Sequence, residues 1–340
     1  MDVDSLYPNV MTWMDGARGN HPLAEIIEPV RNDGNSPSVG TAILDAFERV
    51  IAGLEAAKPE RLPTERADFR KARTWDDLLI VRAELVAGAK LAQASVLFDF
   101  GARGRSPQPD LVLRETELGI EVKARRLDGL RDLHDELEEA LDDAGAEVVV
   151  HIACQERPLY LKGAERRDLI TEVLDRVSSG SYGTIAVELD QPWAATPKLP
   201  LAVRIFPGNS FFPGQRVFIE GGEALAGHLA NIESEVIAVL TADEQKASQA
   251  ASMPTLLLVD IARAGVGWIR PERVWAQMLA ARLPESTPFI GAAVMMPRLD
   301  SPIVEIAMAV RPNSGESEKA VLHALADQLG LTQWGGGWFG

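Results

Sequence analysis

Apolar residues recur along this chain with two different periods, and the way those periods alternate predicts an α/β protein. Over 41–57, Ile43, Leu44, Phe47, Val50, Ile51 and Leu54 fall at helical spacing, with Thr41 placed to cap the segment. A second helix is predicted over 75–94, where Leu78, Val81, Leu85, Ala89 and Ala92 share one face. Short runs suited to strands follow at 95–100, 109–114 and 118–124, the last two joined through a turn at 115–117 into a hairpin. The segment 128–144 is amphipathic, with Leu130, Leu133, Leu137 and Leu141 inward and acids outward. The β-branched run 147–153 then reads as a buried strand. From 75 to 153 the order is α-β-β-β-α-β.

The second half continues the alternation more loosely. A helix is predicted at 164–178, strands at 183–188, 200–206 and 216–219, and a long helix over 223–250. A strand at 255–261, a helix at 271–283, strands at 289–296 and 303–310 and a helix at 316–329 complete the series. Residues 1–40 are rich in Pro, Gly, Asn and Asp and read as an irregular arm, while 58–72, with Pro59 and Pro63, reads as a connector. The expected division is an irregular or helical arm over 1–72, a core over 73–155 and an additional α/β region over 156–340. Trp334, Trp338 and Phe339 in the glycine-rich tail suit a flexible or docking end that docks onto another subunit or stacks on bases, with self-docking preferred.

Composition narrows the class. Hydrophobic residues make up 46% and charged residues 25%, the mixture of an ordinary globular chain with enough apolar material for a core. No apolar run approaches the roughly 18 residues of a membrane span. The first twenty residues lack a basic start followed by an apolar stretch, so no secretory signal is read. Cys154 is the single cysteine, which excludes an intrachain disulfide, and a cytoplasmic protein is expected. The formal net charge of −16 excludes non-specific coating of nucleic acid, so any such contact must use a local basic surface.

One constellation carries chemistry. Asp110 opens one strand of the hairpin, and Glu121 and Lys123 lie on the other, on a shared face because side chains alternate along a strand. Ile120 and Val122 then face the opposite way, into apolar packing. The turn brings two carboxylates and an ammonium toward one point at the edge of a sheet. Close carboxylates repel, and a hard divalent cation such as Mg²⁺ or Mn²⁺ removes the conflict. The Pro109-Asp110 pair, ten intervening residues and Glu121-Val122-Lys123, in the order α-β-β-β-α-β, resemble the PD-(D/E)XK nuclease superfamily, the restriction-endonuclease-like fold.

That resemblance covers about a quarter of the chain and implies a mixed-sheet αβββαβ core with an additional α/β C-terminal half. It implies a Mg²⁺-dependent (or Mn²⁺-dependent) nuclease that hydrolyses phosphodiester bonds, most simply in DNA, with RNA left open. Asp110 and Glu121 would bind the metal with help from the Val122 carbonyl and from Glu84 on the preceding helix, and Lys123 would be the catalytic lysine. It further implies a homodimer, because cutting two strands needs two sites, and a role in restriction, repair or phage defence. Arg103, Arg105, Arg114, Arg125 and Arg126 flank the constellation and are candidates for holding phosphates. Two other readings stand beside this one. In one, a nuclease fold without cleavage serves as a binding or regulatory subunit of a larger assembly. In the other, an activating small molecule sensed within 180–330 gates the nuclease.

The remaining motifs are weaker. The histidines show no zinc-ligand spacing with Cys154, and Gly265-Val266-Gly267 is only a fragment of a dinucleotide loop. Asp260, at the end of the run TLLLVDI, is expected to cap or pack. His151 and Cys154 are expected in the core or at a strand end.

Overall fold

The computed structural model describes residues 3–17, 19–32, 38–102, 108–124, 129–155, 158, 161–191, 198–208, 216–221, 230, 232–238, 250, 253–262, 271–301, 303–334 and 337–339. The chain forms two compact units. One is built from Met1–Arg125 together with Val239–Gly340, the other from Arg126–Ala238.

The first unit begins with helices α1 (Val3–Leu6), α2 (Pro8–Met14), α3 (Ala24–Asn32), α4 (Val39–Ala57), α5 (Leu62–Lys71) and α6 (Trp75–Gln93). Capping boxes start the two long ones. Ser38 and Thr41 exchange side-chain and backbone hydrogen bonds at α4, and Thr74 and Asp77 do so at α6. Ser38 is therefore the cap of α4, and Thr41 is its third-position partner.

Helices α1, α2, α3 and α5 replace the expected irregular arm and connector. Their stabilising groups come from far along the chain. Glu48, on α4, accepts the amide hydrogens of Asn9 (3.1 Å) and Val10 (2.9 Å), which have no intrahelical partner in the first turn of α2. The Trp13 indole N–H donates to Glu55 at 2.6 Å. Trp13, Leu23, Ile27 and Val30 are buried with Phe47 and Phe69 of α4 and α5.

The chain then runs through β1 (Phe98–Phe100), β2 (Leu111–Leu113), β3 (Gly119–Ala124), α7 (Gly129–Asp143), β4 (Val148–Cys154), α8 (Gly163–Ser178), β5 (Gly183–Asp190), β6 (Lys198–Pro207) and β7 (Val217–Gly221). It continues with β8 (Thr255–Asp260), α9 (Glu272–Arg282), β9 (Gly291–Pro297), β10 (Val304–Val310), α10 (Glu316–Gln328), β11 (Thr332–Trp334) and β12 (Gly337–Phe339). Of the expected long helix over 223–250, residues 230, 232–238 and 250 are helical, and the rest lies outside the described residues.

The first unit holds an eight-stranded mixed sheet ordered β1-β2-β3-β8-β9-β10-β12-β11. β1, β2 and β3 are an antiparallel meander, β3-β8-β9 are parallel, and the remaining pairs are antiparallel. Ile120, Val122, Leu256, Leu258, Met295, Ile306 and Met308 pack from one face of the sheet against α4, α6 and α10. The tail docks onto its own chain, as β12 pairs with both β10 and β11.

The second unit holds a four-stranded sheet ordered β5-β6-β4-β7. Leu130, Leu133, Leu137 and Leu141 of α7, with Leu169 and Val173 of α8, cover one face of it by packing on Val148, Val150, Ile152, Val203 and Ile205.

This arrangement corrects the linear reading of 73–155 as one core. β4 pairs with β6 and β7, and the parallel neighbour of β3 is β8. The reason lies in the burial patterns. β4 alternates buried and half-buried positions, so one of its faces is open, whereas all six residues of β8 are buried, as a parallel strand covered on both faces requires. The boundaries at 72 and 155 therefore give way to one unit interrupted by another. The class is mixed α/β, and no helix among the described residues is long and apolar enough to cross a membrane.

Candidate functional site

The site is built on β3. Ile120 and Val122 join the apolar core, which turns Glu121 and Lys123 to the opposite face of the sheet. Glu121 is fully buried and Lys123 is half-buried. Their register partners on β8, Leu257 and Val259, are also fully buried.

Asp110 immediately precedes β2. Its Oδ2 accepts the amide hydrogen of Val122 at 2.8 Å. The register pairs Leu111 with Ile120, so one step further sets Asp110 opposite Glu121. The Asp110 carboxylate thus meets β3 at the residue between Glu121 and Lys123. In a strand both backbone groups of one residue point toward the same neighbour, so the Val122 carbonyl lies on the Asp110 side.

Two glycines seat the Pro109-Asp110 step. Gly101 donates its N–H to the Asp110 carbonyl at 2.8 Å. A Cβ on Gly101 would collide with the Pro109 carbonyl oxygen, and a Cβ on Gly119 would stand 2.9 Å from the Pro109 Cβ. Both positions need glycine because backbone and ring approach so closely. Sequence reasoning missed them, although a glycine on each side of the Pro-Asp pair was visible.

Other candidates fall elsewhere. Glu84 is half-buried on α6, which packs on β3. Among the described residues no three of His, Cys, Asp and Glu gather in a group able to hold a metal ion. Arg114 forms a two-pronged pair with Asp99, at 2.9 and 2.6 Å. Those hydrogen bonds, with the Glu60 amide, hold the Asp99 carboxyl below its ordinary range. Arg103, Arg105, Arg125 and Arg126 lie outside the described residues.

Asp260 lies on the core face, since it is in register with Ala124. It accepts the Ala262 amide hydrogen at 2.7 Å and faces the buried Arg82, the capping and packing role expected of it. His151 stands half-buried on the open face of the second sheet rather than in a core.

Two carboxylates on facing residues, one fully buried, are costly in a low-dielectric setting unless cationic charge accompanies them. The Lys123 ammonium supplies one such charge from the same face of β3. The donor set of Asp110, Glu121 and the Val122 carbonyl is all oxygen, which fits a hard divalent ion such as Mg²⁺ or Mn²⁺. No family model, no curated protein and no solved structure matches this chain.

Proposed function

We propose that this protein is a Mg²⁺-dependent or Mn²⁺-dependent nuclease whose reacting centre is Asp110, Glu121 and Lys123. The observation that carries the reading is the hydrogen bond from the Val122 amide to Asp110, because it ties the Pro-Asp strand to the strand bearing Glu121 and Lys123. The order of strands supports it as well. β8 lies parallel beside β3, so α6, β1, β2, β3 and β8 follow the αβββαβ order of the PD-(D/E)XK resemblance, while α7 and β4 belong to the unit formed by 126–238.

In this reading Asp110, Glu121 and the Val122 carbonyl would hold the ion. When bound it supplies a Lewis acid for the phosphoryl oxygen and lowers the pKa of an attacking water. Lys123 positions that water or neutralises charge developing on the phosphate. The Val122 amide fixes the Asp110 carboxylate, so it is already oriented when substrate arrives. The substrate is DNA, as the resemblance implies, and cutting both strands calls for two copies of the chain. The purified full-length protein should nick or linearise a plasmid in Mg²⁺ and stop when the ion is chelated. Inertness in both Mg²⁺ and Mn²⁺ would defeat the proposal and favour the binding-subunit reading.

A further inference from the structure

The first unit carries a groove that the catalytic reading does not use. It runs between α4 and α6, with Ile303 and Val304 at the start of β10 completing its wall, and encloses about 660 Å³. Sites for small molecules span roughly 300–1,000 Å³. Arg49, Gly53 and Ala56 follow at helical spacing along α4, and Val86, Lys90 and Gln93 do so along α6, so each helix turns one row of residues into the groove.

Gly53 opens the floor. It lies inside α4, where glycine is the poorest helix former short of proline. Nothing stands within 4 Å of the place its Cβ would take. Packing within the chain therefore does not call for glycine here, and its effect is to leave room in the groove. Ile303, on the wall, is 69% exposed, and a bound apolar group would take it out of water.

The polar groups of the lining are few and of one sign. Arg49 and Lys90 are its only charged residues and Gln93 its only neutral polar side chain, in a chain of net charge −16. Among the described residues neither cation is ion-paired. Asp45, one turn before Arg49, accepts the Tyr7 hydroxyl instead, and no acid stands three or four residues from Lys90. No aromatic ring lines the groove, so a flat ligand finds no stacking surface there. Aliphatic walls and two unneutralised cations complement an aliphatic chain that ends in an anion. Twelve residues line the groove, against the roughly 20–30 a side of a standard protein interface, which favours a small ligand over a partner chain.

We propose that this groove binds a free acyl carboxylate, its chain along Val50, Val86 and Ile303 and its charge held by Arg49 and Lys90. Nothing in it depends on the nuclease reading. Calorimetry of the full-length protein with dodecanoate, kept below its micelle concentration, tests it. One dodecanoate should bind per chain, with the negative heat-capacity change of apolar burial. Gly53→Leu, which fills the groove, should abolish binding. Arg49→Gln and Lys90→Gln should each weaken it about tenfold, the loss expected for one charged hydrogen bond. Dodecanol, the same chain without the charge, should bind at least about tenfold more weakly. Lys90→Gln decides the matter if Gly53→Leu does not fold. No binding of dodecanoate by the wild type, a wild-type Kd in a folded Gly53→Leu or in Lys90→Gln, or tighter binding of phosphatidylglycerol vesicles than of dodecanoate would overturn the proposal.

Discussion

The carboxylate of Asp110 accepts the backbone amide hydrogen of Val122 at 2.8 Å, across the hairpin that separates them in sequence. This bond spends one oxygen of an acid on backbone recognition and fixes where the acid sits. Asp110→Asn keeps an acceptor for that bond and removes the charge. The variant should keep the wild-type melting temperature within a few degrees and lose cleavage by at least about 100-fold, in line with electrostatic groups at reacting centres. Equal activity in the variant would exclude Asp110 from the chemistry.

Gly119→Ala should disturb the same spot from below. The added methyl meets the Pro109 ring and must push the Pro-Asp step away from β3. Overpacking of this kind costs about 1–3 kcal/mol. Chemical denaturation should report that loss, and cleavage should fall with it. A wild-type denaturation midpoint would show that Pro109 does not rest on Gly119.

The first-turn amides of α2 depend on Glu48. Glu48→Ala should destabilise the first unit by about 1–2 kcal/mol, as for other lost helix caps. Hydrogen exchange should quicken first in 3–32, because the helices there lose their tie to α4. Uniform change across both units would contradict this.

His21 makes stability depend on pH. It is fully buried, its Nδ1 accepts the Leu23 amide and its Nε2 lies 2.9 Å from the Phe69 carbonyl. The carbonyl needs a donor, so the neutral ring carries its proton on Nε2. Burial lowers the His21 pKa from the ordinary 6.5. As pH falls below about 6.5 the unfolded chain takes up a proton that the folded ring refuses, so stability declines, at most by roughly 1.4 kcal/mol per pH unit. His21→Gln should remove that part of the slope between pH 6.5 and 5, measured by urea unfolding. An unchanged slope would assign the dependence to other groups.

Most elements were legible in the sequence because their apolar spacing is clean. Helices α4, α6 and α7 and the strands of the hairpin match their expected positions within a few residues. The face assignment of Glu121 against Ile120 and Val122 followed from alternation alone, and Ile120 and Val122 do pack together in the apolar core. The N-terminal helices were hidden because α2 is held by Glu48, which takes its first-turn amides, and by Glu55, which takes the Trp13 indole, both far off in sequence, and because Pro29 sits inside α3. Pairing was hidden for a different reason. Two apolar runs, 147–153 and 255–261, were both fit to lie beside β3, and local pattern ranks only their burial, not their neighbour. The glycines under Pro109 carried no periodic signal at all.

The pairing has a direct consequence. A fragment of 73–155 lacks β8, the strand that covers the β3 edge, and its β4 lacks β6 and β7. Such a fragment should show no cooperative thermal unfolding by circular dichroism. A sharp transition would mean that β4 can take the place of β8.

The central claim is best tested by plasmid cleavage in Mg²⁺ and Mn²⁺ with the wild-type chain beside Lys123→Ala, with Mn²⁺ binding followed by calorimetry on the same preparations. The account predicts nicking or linearisation by the wild type, its loss in Lys123→Ala, and retained Mn²⁺ binding in that variant because Asp110 and Glu121 are intact. A wild type that neither binds Mn²⁺ nor cuts, or a Lys123→Ala variant as active as the wild type, would contradict it.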